Sequence, residues 1–138
     1  SDESSCYLIV ILYGTGSDPA YERILRSKLL RHPNVILLEP LPAEGFLALL
    51  SKVSLYLRPS TVDSYGLAIQ DALDMGTPCL ASDICTRDPR CAIFPARDKE
   101  AFIRQAASLI KRCKVFSKED TREHHSQVYL EMILKHYQ

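Results

Sequence analysis

The sequence predicts an α/β protein built on a doubly wound, parallel β-sheet. Short apolar stretches alternate with amphipathic helix patterns along the chain. The first of these stretches, residues 7–13, is continuously apolar, which is typical of a parallel strand covered on both faces. Strands that alternate with helices in this way favour a parallel sheet with helices on both sides. With 138 residues and no linker-like segment, we expect a single domain over residues 1–138.

The first half of the chain contains three predicted strands. A turn over residues 14–19 follows the first strand, and Pro19 suits the first position of a helix that runs to about residue 31. Residues 35–38 form the second predicted strand. A short helix around residues 46–50 precedes a third strand over residues 53–57.

The second half repeats the alternation. Gly76 is placed to end a helix that contains Ile69, Ala72 and Leu73. Residues 78–81 and 92–94 are the fourth and fifth predicted strands. Asp98 can cap the next helix, and a last helix is expected after Ser117. The apolar stripe of the helix after Asp98 consists of Phe102, Ala106, Leu109 and Ile110.

Composition restricts the function classes. Seventeen basic residues balance 17 acidic ones, so no overall charge favours nucleic acid as a partner. No apolar run reaches the about 20 residues that a membrane helix needs, and the acidic first residues are unlike a signal peptide. Five cysteines without a CxxC pair indicate reduced thiols and no metal site. We therefore expect a cytoplasmic protein, and the basic residues near 111–118 remain compatible with peripheral membrane contact.

The loops at the carboxyl ends of the strands are the expected ligand site. They cover residues 14–18, 39–42 and 59–66, and the third is the richest in polar groups. Ser60 and Thr61 offer hydroxyls, and Gly66 permits close backbone approach. The amides of Tyr65, Gly66 and Leu67 would open the following helix, and a helix start suits a phosphate group.

Two carboxylates flank this helix start. Asp63 and Asp71 are eight residues apart, about 12 Å along the axis if every step were helical. That exceeds the about 5–9.5 Å of a glycosidase acid pair, so the two acids suit opposite ends of an extended ligand. The spacing alone is equally consistent with a capping Asp63 and a solvated Asp71.

A longer series of residues surrounds these acids without a gap. It comprises Pro59-Ser60, Asp63-Ser64-Tyr65-Gly66, Asp71, Gly76-Thr77-Pro78 and Ala81-Ser82-Asp83. In order and spacing this series resembles the C-terminal, donor-binding half of GT-B glycosyltransferases, most closely the retaining GT4 family. Gly14-Thr15-Gly16 looks like that family's Gly-x-Gly turn, so the resemblance extends from Tyr7 to about Ile110.

The resemblance implies a Rossmann-like domain that binds a nucleotide-diphosphate sugar for hexosyl transfer with retention. Asp63 matches the acid that faces the donor sugar, and Asp71 matches the acid that holds the ribose. The amides of Tyr65, Gly66 and Leu67 would meet the diphosphate, and the backbone near Pro40 and Leu41 would meet the base. The family needs no metal, so no metal or separate cofactor is expected.

The chain also departs from the family pattern. Both acids are Asp rather than Glu, and Ser64 replaces the first glycine of the turn. The family's diphosphate-clamping Arg and Lys lie upstream of the strand that matches residues 7–13, and the acceptor domain lies further upstream. We therefore expect this chain to be the donor half of a longer enzyme and to be inactive without the other half.

Three alternatives remain open. A donor-domain homologue could bind nucleotide sugars without turnover. Gly14-x-Gly16, with Glu39 at the end of the second strand, imitates a dinucleotide-binding fingerprint, but Pro19 stands at the third glycine. A receiver-like signalling domain would need an acid cluster after the first strand, where only Asp18 occurs.

Overall fold

The computed structural model describes residues 6–12 and 18–116, with side chains as far as Arg112. In chain order the elements are β1 (Leu8–Ile11), α1 (Pro19–Leu29), β2 (Val35–Leu38), α2 (Ala43–Leu50), β3 (Tyr56–Arg58), α3 (Leu67–Asp74), β4 (Cys79–Ser82), β5 (Ala92–Phe94) and α4 (Lys99–Phe116). The strands form a two-stranded sheet, β1-β2, and a three-stranded sheet, β3-β4-β5. Every paired strand is parallel, which confirms the predicted α/β class.

The described residues up to Phe46 form one compact unit, and those from Leu47 form another. In the first unit, β1 and β2 pair in register from Leu8 with Val35 to Ile11 with Leu38. Pro19 opens α1 as predicted, and the Asp18 carboxylate accepts a hydrogen bond from the Ala20 amide at 2.9 Å. The predicted Gly14–Gly16 turn lies outside the described residues.

The second unit is organised around β4. All four β4 residues are buried because β3 and β5 pair on either side of it. Leu80 packs with Phe94, Ala101 and Ala106, so the helix that was predicted from its apolar stripe covers this sheet. The rings of Phe94 and Phe102 lie 4.9 Å apart, centroid to centroid, and contribute to the same core.

The third strand begins later than the sequence predicts. The amide of Val53 donates to the Leu49 carbonyl at 3.1 Å, so Val53 belongs to the turn that ends α2. β3 therefore starts at Tyr56 and includes Arg58 as its last residue. This shift brings a charged side chain to the carboxyl end of the strand.

Gly76 ends α3 in the predicted C′ position with φ of +85°. The next residue, Thr77, is buried and donates from its hydroxyl to the Leu50 carbonyl at 2.6 Å. This bond joins the end of α2 to the residues that lead into β4. It also satisfies a carbonyl that the end of a helix would otherwise leave unpaired.

Two further findings concern the cysteines and the membrane. Cys6, Cys79, Cys85 and Cys91 are free thiols, and burial raises the pKa of Cys79 to about 12. Over the described range, none of the helices has the length and apolar character needed to cross a membrane. The helix that is predicted after Ser117 lies outside the described residues.

Candidate functional site

Two loops leave the same edge of the three-stranded sheet. Residues 59–66 connect β3 to α3, and residues 83–91 connect β4 to β5. Because β3 and β4 are parallel neighbours, both loops begin at their carboxyl ends. This is the edge at which open α/β sheets bind ligands.

The Asp63 carboxylate is the centre of a hydrogen-bonded cluster between these loops. Arg58 donates to it twice, from Nε to Oδ2 at 2.5 Å and from Nη2 to Oδ1 at 2.7 Å. Arg87 donates from Nη1 at 2.8 Å, and the Ser60 hydroxyl donates at 2.8 Å. The amide of Ser64 adds a fifth bond at 2.9 Å. With only 5% of its side chain exposed, Asp63 has its hydrogen-bonding capacity filled by the protein.

Arg87 connects the two loops. Its side chain is 3% exposed, and its Nε donates to the Ser82 carbonyl at 2.9 Å. The same guanidinium reaches the Ser64 carbonyl at 3.3 Å as well as Asp63. Ser82 in turn donates from its hydroxyl to the Ser60 carbonyl at 2.6 Å. The end of β4 therefore fixes the loop that precedes α3 at several points.

The cluster carries one more positive than negative charge. Asp63 is paired with both Arg58 and Arg87. The hydrogen bonds from Arg58, and then those from Arg87 and Ser60, hold the pKa of Asp63 well below its ordinary value, although burial opposes this effect. Asp63 correspondingly raises the pKa of Arg58. The carboxylate thus stays ionised between two cations.

Gly66 shapes the start of α3. It is the N-cap residue, with φ of +81°, a left-handed conformation that glycine adopts without strain. A Cβ at this position would lie 3.0 Å from Arg87 Nη1 and 3.1 Å from Ile69 Cδ1. The amide of Ile69 donates back to the Gly66 carbonyl at 2.9 Å, while Leu67, at the helix start, is exposed. The first residue of α3 is therefore exposed, whereas Gly66 before it is buried against the Arg87 guanidinium.

The structure brings together only some of the predicted site residues. Ser60 and Gly66 lie in the Asp63 cluster, whereas Thr61, Tyr65 and Leu67 are exposed on the same loop and helix start. The carboxylate of Asp71 is not in the cluster, because Asp71 lies on an exposed face of α3, four residues after Leu67.

The remaining predicted residues belong to the other unit. Leu41 follows β2 and is half-buried, and Pro40 beside it is exposed. The Glu39 carboxylate, which matched an acid of a dinucleotide fingerprint, accepts a hydrogen bond from Arg26 Nη1 at 2.9 Å. Gly14 and Gly16 lie outside the described residues.

Sequence reasoning missed Arg58 and the burial of Arg87. Arg58 ends an apolar stretch and precedes Pro59, so a charge at a strand end was a signal that could have been read. Arg87 is 24 residues from Asp63, and their 2.8 Å contact depends on the pairing of β3 with β4. No local pattern indicates such a contact.

A cavity of about 440 Å³ opens beside Arg87, within the range of small-molecule sites. The loop after β4 lines most of it, including Asp83 and Asp88. Arg90 lowers the pKa of Asp88 to about 2 by donating hydrogen bonds to its carboxylate. The described residues contain no group of three or more side chains suited to hold a metal ion.

Comparison with known families adds an independent finding. A family profile described as glycosyl transferases group 1 matches residues 3–112, which include both loops and all of the Asp63 cluster. No curated protein shows significant similarity to the chain.

Gly76 serves as the reference position for testing how closely the protein packs around Gly66. Both glycines have positive φ, but a Cβ at Gly76 would meet nothing within 4 Å. We expect Gly76→Ala to lower the free energy of unfolding by about 1 kcal/mol through backbone strain alone. Gly66→Ala adds overpacking against Arg87 and should cost about 1–3 kcal/mol more. Urea denaturation of both variants tests this, and equal losses would contradict the close packing at Gly66.

The depressed pKa of Asp63 predicts a pH dependence of stability. The unfolded carboxyl, with a pKa near ~3.9, binds its proton more tightly than the folded one. The contribution of Asp63 is therefore complete above about pH 5 and is lost as the pH falls further. Asp63→Asn should flatten the acid slope of the unfolding free energy by up to about 1.4 kcal/mol per pH unit, leaving the part due to Asp88. Denaturation curves from pH 3 to 7 measure this, and unchanged slopes would exclude the ion pairs.

Proposed function

The chain belongs to the glycosyl transferases group 1 family, and we propose that it is the donor-binding domain of a retaining, GT4-type enzyme. The enzyme would transfer a hexosyl unit from a nucleotide-diphosphate sugar to an acceptor. The observation that carries this proposal is the geometry of α3. The helix α3 begins at the exposed Leu67, directly after Gly66, and carries an exposed Asp71 one turn later.

The start of α3 suits the diphosphate. The first amides of a helix have no partner within the helix and lie at its positive end, so they stabilise phosphate oxygens. Gly66 has no side chain at that end, and the Leu67 residue beside it is exposed. We assign the diphosphate to the amides of Tyr65, Gly66 and Leu67. The same amides stabilise the negative charge that develops on the leaving diphosphate during transfer, without a metal ion.

Asp71 suits the ribose. It lies four residues beyond Leu67, about 6 Å further along the helix axis. A carboxylate accepts hydrogen bonds from two neighbouring hydroxyls, as the 2′ and 3′ positions of a ribose present. Since Asp is one methylene shorter than Glu, a bridging water would complete the contact.

In this proposal, Asp63 fixes the conformation of the loop that precedes α3. Five hydrogen bonds from the protein occupy its carboxylate, so contact with the donor sugar requires one of its partners to move away when the donor binds. Ser60 shares the cluster, and Thr61 after it is an exposed residue with a hydroxyl. We assign Thr61 to the sugar side of the donor.

We assign the acceptor to a separate N-terminal domain, as the family resemblance implies.

A non-catalytic homologue is the second candidate, and the buried state of Asp63 favours it. A carboxylate that is 5% exposed and held by two arginines does not face a sugar. In that case the domain binds the nucleotide sugar through α3 and does not promote transfer. The two candidates share the nucleotide site and differ in turnover by a protein that joins this domain to an acceptor domain.

Asp71→Ala should weaken nucleoside diphosphate binding by about tenfold, because it removes a charged acceptor of ribose hydrogen bonds. Calorimetry of the 138-residue chain with UDP, GDP, ADP and CDP identifies the base and measures the loss. Asp74→Ala is the matched control, since Asp74 is an exposed acid on the same helix that pairs with Arg90 instead.

A second comparison isolates the ribose. The wild type should bind a 2′,3′-dideoxy nucleoside diphosphate about tenfold more weakly than the parent nucleotide, and Asp71→Ala should lose this discrimination. If the variant binds the parent nucleotide as tightly as the wild type, the ribose assignment is wrong. If the wild type binds none of the four nucleotides, the proposed function fails.

A further inference from the structure

We propose that Arg58 binds the diphosphate directly and that Asp63 is its counter-ion while the site is empty. The location of this site rests on the proposed function, but the chemistry rests on the cluster itself. The ligand class is a diphosphate, whatever nucleoside is attached to it. Arg58 would thus supply within this domain a cation of the kind that the family resemblance places on an upstream segment.

The Asp63 cluster has a net positive charge. Asp63 provides one negative charge to two guanidinium groups, so one positive charge is left without compensation inside the cluster. Asp63 and the Tyr56 hydroxyl are the two groups that raise the pKa of Arg58. The Tyr56 hydroxyl accepts a hydrogen bond from Arg58 Nη1 at 3.3 Å.

Burial decides which arginine is available. The Arg87 side chain is 3% exposed and donates to the backbone carbonyls of Ser82 and Ser64, so it acts as a fixed part of the scaffold. The Arg58 side chain is 30% exposed and ends β3 at the ligand-binding edge. The uncompensated charge is therefore accessible at Arg58.

The acids near Arg87 are already engaged and do not compensate Arg58. The Asp83 carboxylate accepts a hydrogen bond from the Ala96 amide at 2.8 Å. Asp88 forms an ion pair with Arg90 at 2.8 Å. Among the described residues, neither carboxylate is a hydrogen-bond or ion-pair partner of Arg58.

Exchange of partners at Arg58 leaves no unpaired charge. When the guanidinium turns from Asp63 to phosphate oxygens, it keeps a bidentate anionic partner. Asp63 keeps its bonds from Arg87, the Ser60 hydroxyl and the Ser64 amide. The same Arg87 Nη1 that bonds to Asp63 lies beside Gly66, so the cluster that contains Arg58 adjoins the start of α3. We therefore assign Arg58 and the α3 amides to one diphosphate.

Inorganic pyrophosphate is the direct probe, because it lacks a nucleoside. We expect Arg58→Gln to weaken pyrophosphate binding to the 138-residue chain by roughly tenfold. Asp63→Asn should strengthen it by roughly three- to tenfold, since it removes a negative charge that competes for Arg58. Arg112→Gln is the charge-matched control, because Arg112 is an exposed arginine near the C-terminal end of α4. The Arg112→Gln variant should bind pyrophosphate as tightly as the wild type.

The direction in which Asp63→Asn changes pyrophosphate affinity distinguishes an electrostatic role of Asp63 from a purely structural one. A purely structural Asp63 predicts weaker pyrophosphate binding by a folded Asp63→Asn variant, and that result would overturn the proposal. Unchanged binding by Arg58→Gln would overturn it as well, and this variant decides the question if Asp63→Asn does not fold. Nucleotide binding that survives in Arg58→Gln at full strength rejects Arg58 but leaves the proposed function standing. Pyrophosphate binding that depends on Arg58, without any nucleotide binding, rejects the proposed function instead.

Discussion

The Asp63 carboxylate, held between Arg58 and Arg87, is the interaction on which the site depends. It ties the end of β3 to the loop after β4, and it does so with charged hydrogen bonds in a nearly dry position. Removing Asp63 would leave the buried Arg87 guanidinium without its anion, and breaking such a buried pair typically costs about 3–5 kcal/mol. The cluster therefore specifies one conformation of the loop and one placement of Gly66 at the start of α3.

In this structure the Asp63 carboxylate binds protein donors, whereas the family resemblance implies that it faces the donor sugar. A carboxylate that faces a sugar must have free acceptor capacity, whereas Asp63 spends its capacity on five protein donors. In the proposed site, this fixed loop would leave less ordering to be done when an anion binds at the start of α3. The loop also lies against the Arg87 guanidinium beside Gly66. Glycosyl transfer and nucleotide-sugar binding without turnover are both compatible with this geometry.

Much of the fold could be predicted because its signals are local. Val35–Leu38 and Ala92–Phe94 are bounded by turn residues and match the predicted strands, and Pro19 and Gly76 mark helix ends by their backbone geometry. The boundary of β3 was shifted because Val53, an apolar residue, is used in a turn. Of the site, the loop and Gly66 could be predicted, but the bond from Arg87 to Asp63 could not. It spans 24 residues and exists only because two strands pair in one register.

An NMR titration of the labelled chain with a nucleoside diphosphate tests the central claim most directly, that the loop held by Asp63 is a diphosphate site. We expect the largest shift changes at the amides of Tyr65, Gly66 and Leu67 and at the Nε–H of Arg58. The amide of Ser64 should keep its bond to Asp63 and shift little. Shift changes confined to other parts of the chain, with the start of α3 unaffected, would contradict the account.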